Sequence, residues 1–178
     1  MRDLNKTPFN PAALAPEFMS SIGKAPAASA KHFLLPGQMF ASREATTIST
    51  ILGSCVAICL WSPSLGIGGM NHYLLPEGPD GGANRLRYGN IANPALLSTL
   101  VSIGCNARDL KARIFGGSST FAGADVEQSL GKRNIELAVE FVRTAGIQLV
   151  SKEVSAKRGC KLIFQTDDGV AIVKNFED

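Results

Sequence analysis

Two side chains in this sequence have the types and placement for nucleophilic chemistry. Cys55 stands at the mouth of an apolar run, 56–61, and His72, one of only two histidines, lies inside a second apolar run, 66–75. A thiol alone is a weak nucleophile: with a free pKa of about 8.5, only a few per cent is thiolate at neutral pH. An imidazole beside it removes that handicap by taking the proton. The pair then supports acyl transfer, in which sulfur attacks a carbonyl carbon and the ring nitrogen protonates the leaving group.

The elements between them have to bring the two together. The runs flank Ser62-Pro63-Ser64-Leu65, a turn with proline where a fixed φ helps, so 55–75 reads as a β-hairpin. Centred between Pro63 and Ser64, the turn sets Cys55 directly opposite His72, with Cβ atoms roughly 4.5–5.5 Å apart. Gly53-Ser54 puts Cys55 at a turn-to-strand junction, where a side chain can reach a cleft. Cys59 lies within the apolar strand and reads as a small core residue. His32 borders an unpatterned N-terminal stretch that cannot hold a catalytic group rigidly.

Residues 1–31 carry Pro8, Pro11, Pro16 and Pro26 among many alanines and serines, with no sustained period. They read as a flexible extension, leaving 32–178 as one domain. Strands are expected over 38–42 and 45–50, the latter leading into the Gly53-Ser54 turn. A glycine-rich loop, 77–89, carries Arg85 and Arg87, read as solvated charges or as a clamp on acidic partner residues. Apolar spacing predicts a helix over 91–103, with Asn93-Pro94 at its start or a boundary nearer Asn90, and a second over 134–144 that closes at Gly146. Between them a strand, 110–115, ends at Gly116-Gly117-Ser118-Ser119, a tight turn that lets backbone approach the rim of the site. Strands over 147–154, 161–165 and 170–174 follow, the last two joined by Thr166-Asp167-Asp168-Gly169. The order favours an α+β or layered α/β single domain, with a mixed, mostly antiparallel sheet and two main helices.

Composition narrows the function classes. With 45% apolar content in 178 residues the chain can bury one sizeable core. A net charge of +3 with scattered basic residues gives no footprint of a nucleic-acid binder. No uninterrupted apolar stretch is long enough to insert in a membrane, so a soluble, cytoplasmic protein is expected. Cys55, Cys59, Cys105 and Cys160 have neither the density of a disulfide scaffold nor a C-x-x-C pair, so neither a metal nor another cofactor is expected.

Four motifs then acquire a common meaning. The stretch 49–55, the run Gly68-Gly69-Met70-Asn71-His72 ending in Leu75-Pro76, Phe115-Gly116-Gly117 and Gly131-Lys132-Arg133-Asn134 occur in that order over about 33–176. Together they resemble the CheD family of chemoreceptor glutamine deamidases. The resemblance implies a cysteine hydrolase that converts glutamine side chains to glutamate, with Cys55 as nucleophile and His72 as base. Ser49, six residues before the cysteine, falls at a third, polar position where the family carries threonine. Thr50 stands beside it, and either hydroxyl can orient an imidazole. The resemblance also implies the cytoplasmic helices of methyl-accepting chemoreceptors as substrate and a CheC-type phosphatase as partner where the organism has one; receptor methyl esters are a chemically reasonable second target, since the same thiolate can attack an ester. The rival readings are a docking module without catalysis and a cysteine peptidase.

Overall fold

The computed structural model describes residues 30–118, 129–154 and 159–176. Its strands are β1 (Ala30–Phe33), β2 (Gln38–Ser42), β3 (Thr46–Leu52), β4 (Val56–Ser62), β5 (Ile67–His72), β6 (Lys111–Gly116), β7 (Gln148–Val154), β8 (Cys160–Gln165) and β9 (Ala171–Asn175). Two helices join them, α1 (Gly89–Ser102) and α2 (Leu130–Thr144). The strands form two sheets, a four-stranded one ordered β1-β3-β8-β9 and a five-stranded one ordered β2-β5-β4-β6-β7. Pairing is antiparallel except for β1 with β3 and β6 with β7. The architecture is the expected α+β layering, built on two mixed sheets where one was expected.

The layers explain why β4 is apolar without alternation. Val56, Ile58 and Leu60 join the core shared with α1 and α2, whereas Ala57, Cys59 and Trp61 face Ile48, Leu52, Leu162 and Phe164 of the smaller sheet. A strand covered on both faces reads as a continuous hydrophobic run. β3 does alternate: Ile48, Thr50 and Leu52 are buried while Thr47, Ser49 and Ile51 are half-buried or exposed. One face of the smaller sheet therefore looks into the protein and the other into solvent.

Three local expectations change. The hairpin turn pairs Ser62 with Ile67, and the N–H of Gly66 bonds to Ser62 O at 2.9 Å. Gly66 has a φ of 64°, so it belongs to the turn as its left-handed closing residue. That moves the centre one residue on and the cross-strand register by two. Helix α1 begins at Gly89, at the boundary near Asn90 rather than at Asn93-Pro94, so Pro94 lies inside it and Asn93 is buried rather than capping. Helix α2 begins one turn earlier than expected, because the Ser129 side chain caps it by accepting from the Lys132 N–H at 3.2 Å. β1 was not foreseen; it starts at Ala30, and of the expected extension residues 1–29 lie outside the described residues, as does Ser119.

Candidate active site

The register places Cys55 and His72 as diagonal neighbours. Cys59 pairs with Met70 and Val56 with Tyr73, so Ala57 stands opposite His72 and Cys55 opposite Leu74. Direct opposition of Cys55 and His72 is thus corrected by two residues. The two still share a face, since 55, 57 and 59 alternate away from 56 and 58, and diagonal partners about 7–8 Å apart are within reach of a ring. That face looks toward the smaller sheet.

The 53–55 bend is held from the neighbouring strand. The N–H of Gly117 donates to Cys55 O at 2.8 Å and the N–H of Ser118 donates to Gly53 O at 2.9 Å. Gly116, with a φ of 108°, brings its backbone so close to Cys55 O that a Cβ would collide with it. The glycine turn at the end of β6 does approach the site, as its sequence implied. Beyond His72, the Leu74 and Leu75 N–H groups both donate to Arg87 O, at 2.9 and 3.1 Å. Arg85 is engaged by Asp80 at 2.9 Å within its own loop, which does not fit a clamp reaching for a partner.

The facing sheet brings a hydroxyl to the His72 ring. Thr50 Oγ1 lies 2.8 Å from His72 Nδ1 and also donates to Leu34 O at 2.8 Å. Because the hydroxyl has one hydrogen and the Leu34 carbonyl takes it, the oxygen must accept from Nδ1–H. The imidazole is therefore the Nδ1–H tautomer, and Nε2 carries the free lone pair. Nε2 is buried and has no hydrogen-bond partner. Ser49 does not reach this ring. It sits on the opposite face of β3, across from Phe33 and Ile163, and its carbonyl accepts the Leu34 N–H at 2.8 Å. Strand alternation was the signal that favours Thr50: with Ile48 and Leu52 as core residues, an inward hydroxyl falls at 50.

Burial sets the protonation of the pair. It lowers the His72 pKa to about 4. It pushes the Cys55 thiol up, only partly offset by a hydrogen bond from its own backbone. The lowered thiol pKa expected from a histidine neighbour is replaced by a neutral thiol facing a neutral imidazole. Such a pair moves its proton during attack rather than before it. His32, set in β1, stacks on Phe40 with ring centroids 4.2 Å apart. Cys59 and Cys160 lie fully buried between the sheets and Cys105 lies in the core under the helices.

Comparison with known proteins agrees with the motifs. The family model described as CheD chemotactic sensory transduction matches residues 74–175. Relatives carry the name "Probable chemoreceptor glutamine deamidase CheD". The Anaeromyxobacter dehalogenans protein is 39% identical over 82% of this chain and 84% of its own, and the Rhodospirillum rubrum protein 34% identical over 83% of each. A Trichlorobacter lovleyi relative is 38% identical over 80% of this chain and 89% of its own. Among solved structures, Bacillus licheniformis YfiH superposes with a TM-score of 0.37 at 14% identity, covering 66% of this chain and 50% of that one. No helix among the described residues is long and apolar enough to cross a membrane. Identity at this level over four-fifths of the chain means that the protein belongs to the CheD family.

Proposed function

We propose that this protein deamidates glutamine side chains of chemoreceptors by covalent catalysis at Cys55. The observation that carries the reading is the Leu34–Thr50–His72 chain, which leaves Nε2 as an unprotonated acceptor on the face that Cys55 shares. The Cys55 sulfur attacks the carboxamide carbon while its proton passes to His72 Nε2. The imidazolium returns that proton to the departing nitrogen, ammonia leaves, and a thioester remains. Water attacks the thioester with His72 again as base, releasing glutamate and restoring the thiol. The oxyanion donors in this account are the N–H groups of Ser54 and Cys55, which among the described residues bond to no backbone carbonyl.

Thr50 takes the orienting role first assigned to Ser49, and no cofactor enters any step. The names of the relatives support chemoreceptors as substrate, and their cytoplasmic helices would place the enzyme in the cytoplasm. A CheC-type phosphatase as partner belongs to the same reading. Incubation with a purified chemoreceptor fragment, followed by mass spectrometry, tests it. The expected result is the mass gain of amide-to-acid conversion at chosen glutamines. Peptide fragments would instead mean a protease, and an unchanged receptor a docking module.

A further inference from the structure

Asn134 is fully buried on α2, outside the catalytic pair, yet its amide nitrogen donates to two carbonyls that flank that pair. It bonds Ser54 O at 3.0 Å and Leu74 O at 2.8 Å. Ser54 precedes Cys55, and Leu74 stands across from Cys55, two residues after His72. One side chain thus bridges the two strand ends just beyond their last paired residues, Val56 and Tyr73. Among the described residues no other side chain bonds both ends.

The amide cannot be turned around, since Oδ1 would then face two carbonyls. As it stands, Oδ1 is buried without a partner, a cost accepted along with the two bonds. Asn134 is anchored in turn, because its own carbonyl accepts the Tyr73 hydroxyl. Three residues earlier, Gly131 packs where a Cβ would collide with the Gly117 carbonyl. Gly117 is the residue whose N–H holds Cys55 O. Helix α2 therefore meets the 53–55 bend both through this backbone contact and through the Asn134 amide.

We propose that Asn134 is a positioning residue: by clamping the carbonyls of Ser54 and Leu74 it fixes the reach from Cys55 to His72. The proposal rests on the catalytic pair described above and assigns α2 the role of its strut. A diagonal pair with one member, Cys55, beyond the end of the hairpin ladder is sensitive to such a clamp, because small displacements at reacting groups cost large factors in rate.

Alkylation of Cys55 by iodoacetamide at neutral pH, without receptor, reads the pair directly. It is measured on wild type, His72→Ala, Asn134→Ala and the double variant, with cooperative thermal unfolding checked for each. Asn134→Ala is expected to alkylate within about twofold of the His72→Ala rate, and the double variant no slower than His72→Ala alone. Asn134→Ser, which keeps one donor, should fall between wild type and Asn134→Ala and serves if the alanine variant does not fold. Wild-type rates in a folded Asn134 variant, or losses that multiply in the double variant, overturn the clamp. A wild-type rate in His72→Ala is a separate outcome: it removes the catalytic pair, and the clamp with it.

Discussion

Cys55 and Cys59 sit on the same face of one hairpin strand, four residues apart, and their surroundings could hardly differ more. Cys59 is sealed between the sheets opposite Met70, and burial pushes its thiol well up despite the nearby Arg113 charge. Cys55 lies where the ladder has ended, half-buried in a bend whose neighbours hold it by backbone bonds. By the register both cysteines stand diagonally across from His72, which faces Ala57, but only Cys55 lies beyond the end of the ladder and is partly exposed. The difference teaches that residue type, apolar context and a diagonal imidazole do not distinguish the two thiols; the end of the strand, where burial is incomplete, does.

The comparison breaks most visibly at the base. His72→Ala should cut deamidation by about 10²- to 10⁴-fold, the usual contribution of a positioned acid–base group, while leaving any slow reactivity of Cys59 as it was. Receptor turnover by the purified variant checks this, and near-normal turnover would show that the open end of the hairpin owes nothing to its imidazole.

The same burial that keeps Nε2 unprotonated should appear in stability. The His72 pKa falls from 6.5 in the unfolded chain to about 4 in the folded one, so the unfolded chain binds the extra proton in that window. The stability contribution is whole above pH 6.5 and is lost as pH drops toward 4, by roughly 3 kcal/mol. Burial lowers His32 in the same sense, so the informative measurement is the difference between wild type and His72→Gln in denaturant titrations across pH 4–7. The wild type should lose stability more steeply, and parallel curves would contradict the buried neutral ring.

Smaller effects sharpen the picture. Thr50→Ala should lower turnover by about 10- to 100-fold, with Thr50→Ser close to wild type, because the hydroxyl orients the ring without touching substrate. Ser49→Ala should change little, and a loss confined to Ser49 would return the role to the outer face of β3. At the sealed end, Cys59→Ala should cost about 1–2 kcal/mol of stability, read by chemical denaturation, with turnover intact once folded.

The hairpin, both helices and the glycine turn beside the site were legible because each carries a local signal: period, cap or turn residue. What was not legible depended on distant pairing. β1 exists because it lies parallel to β3, a partner that no local pattern announces. The upward shift of Cys55 follows from a second sheet closing over it, which an expectation of one sheet could not contain. Thr50 stood within reach of the sequence, since alternation from Ile48 and Leu52 points it inward, whereas the family resemblance, matched by position six residues before Cys55, drew attention to Ser49. Gly66 likewise carried the register, as a left-handed turn residue rather than the first residue of the next strand.

The central claim is that Cys55 forms the covalent bond to a glutamine carbonyl, and an active-site-directed label tests it most directly. A receptor peptide with a chloroketone in place of its target carboxamide loses chloride to an attacking thiol and stays attached. Peptide mapping should find one label per chain, on Cys55, with turnover lost in step and labelling slowed in His72→Ala. Inactivation with the label on Cys59, Cys105, Cys160 or a non-cysteine residue, while Cys55 remains free, would contradict the account.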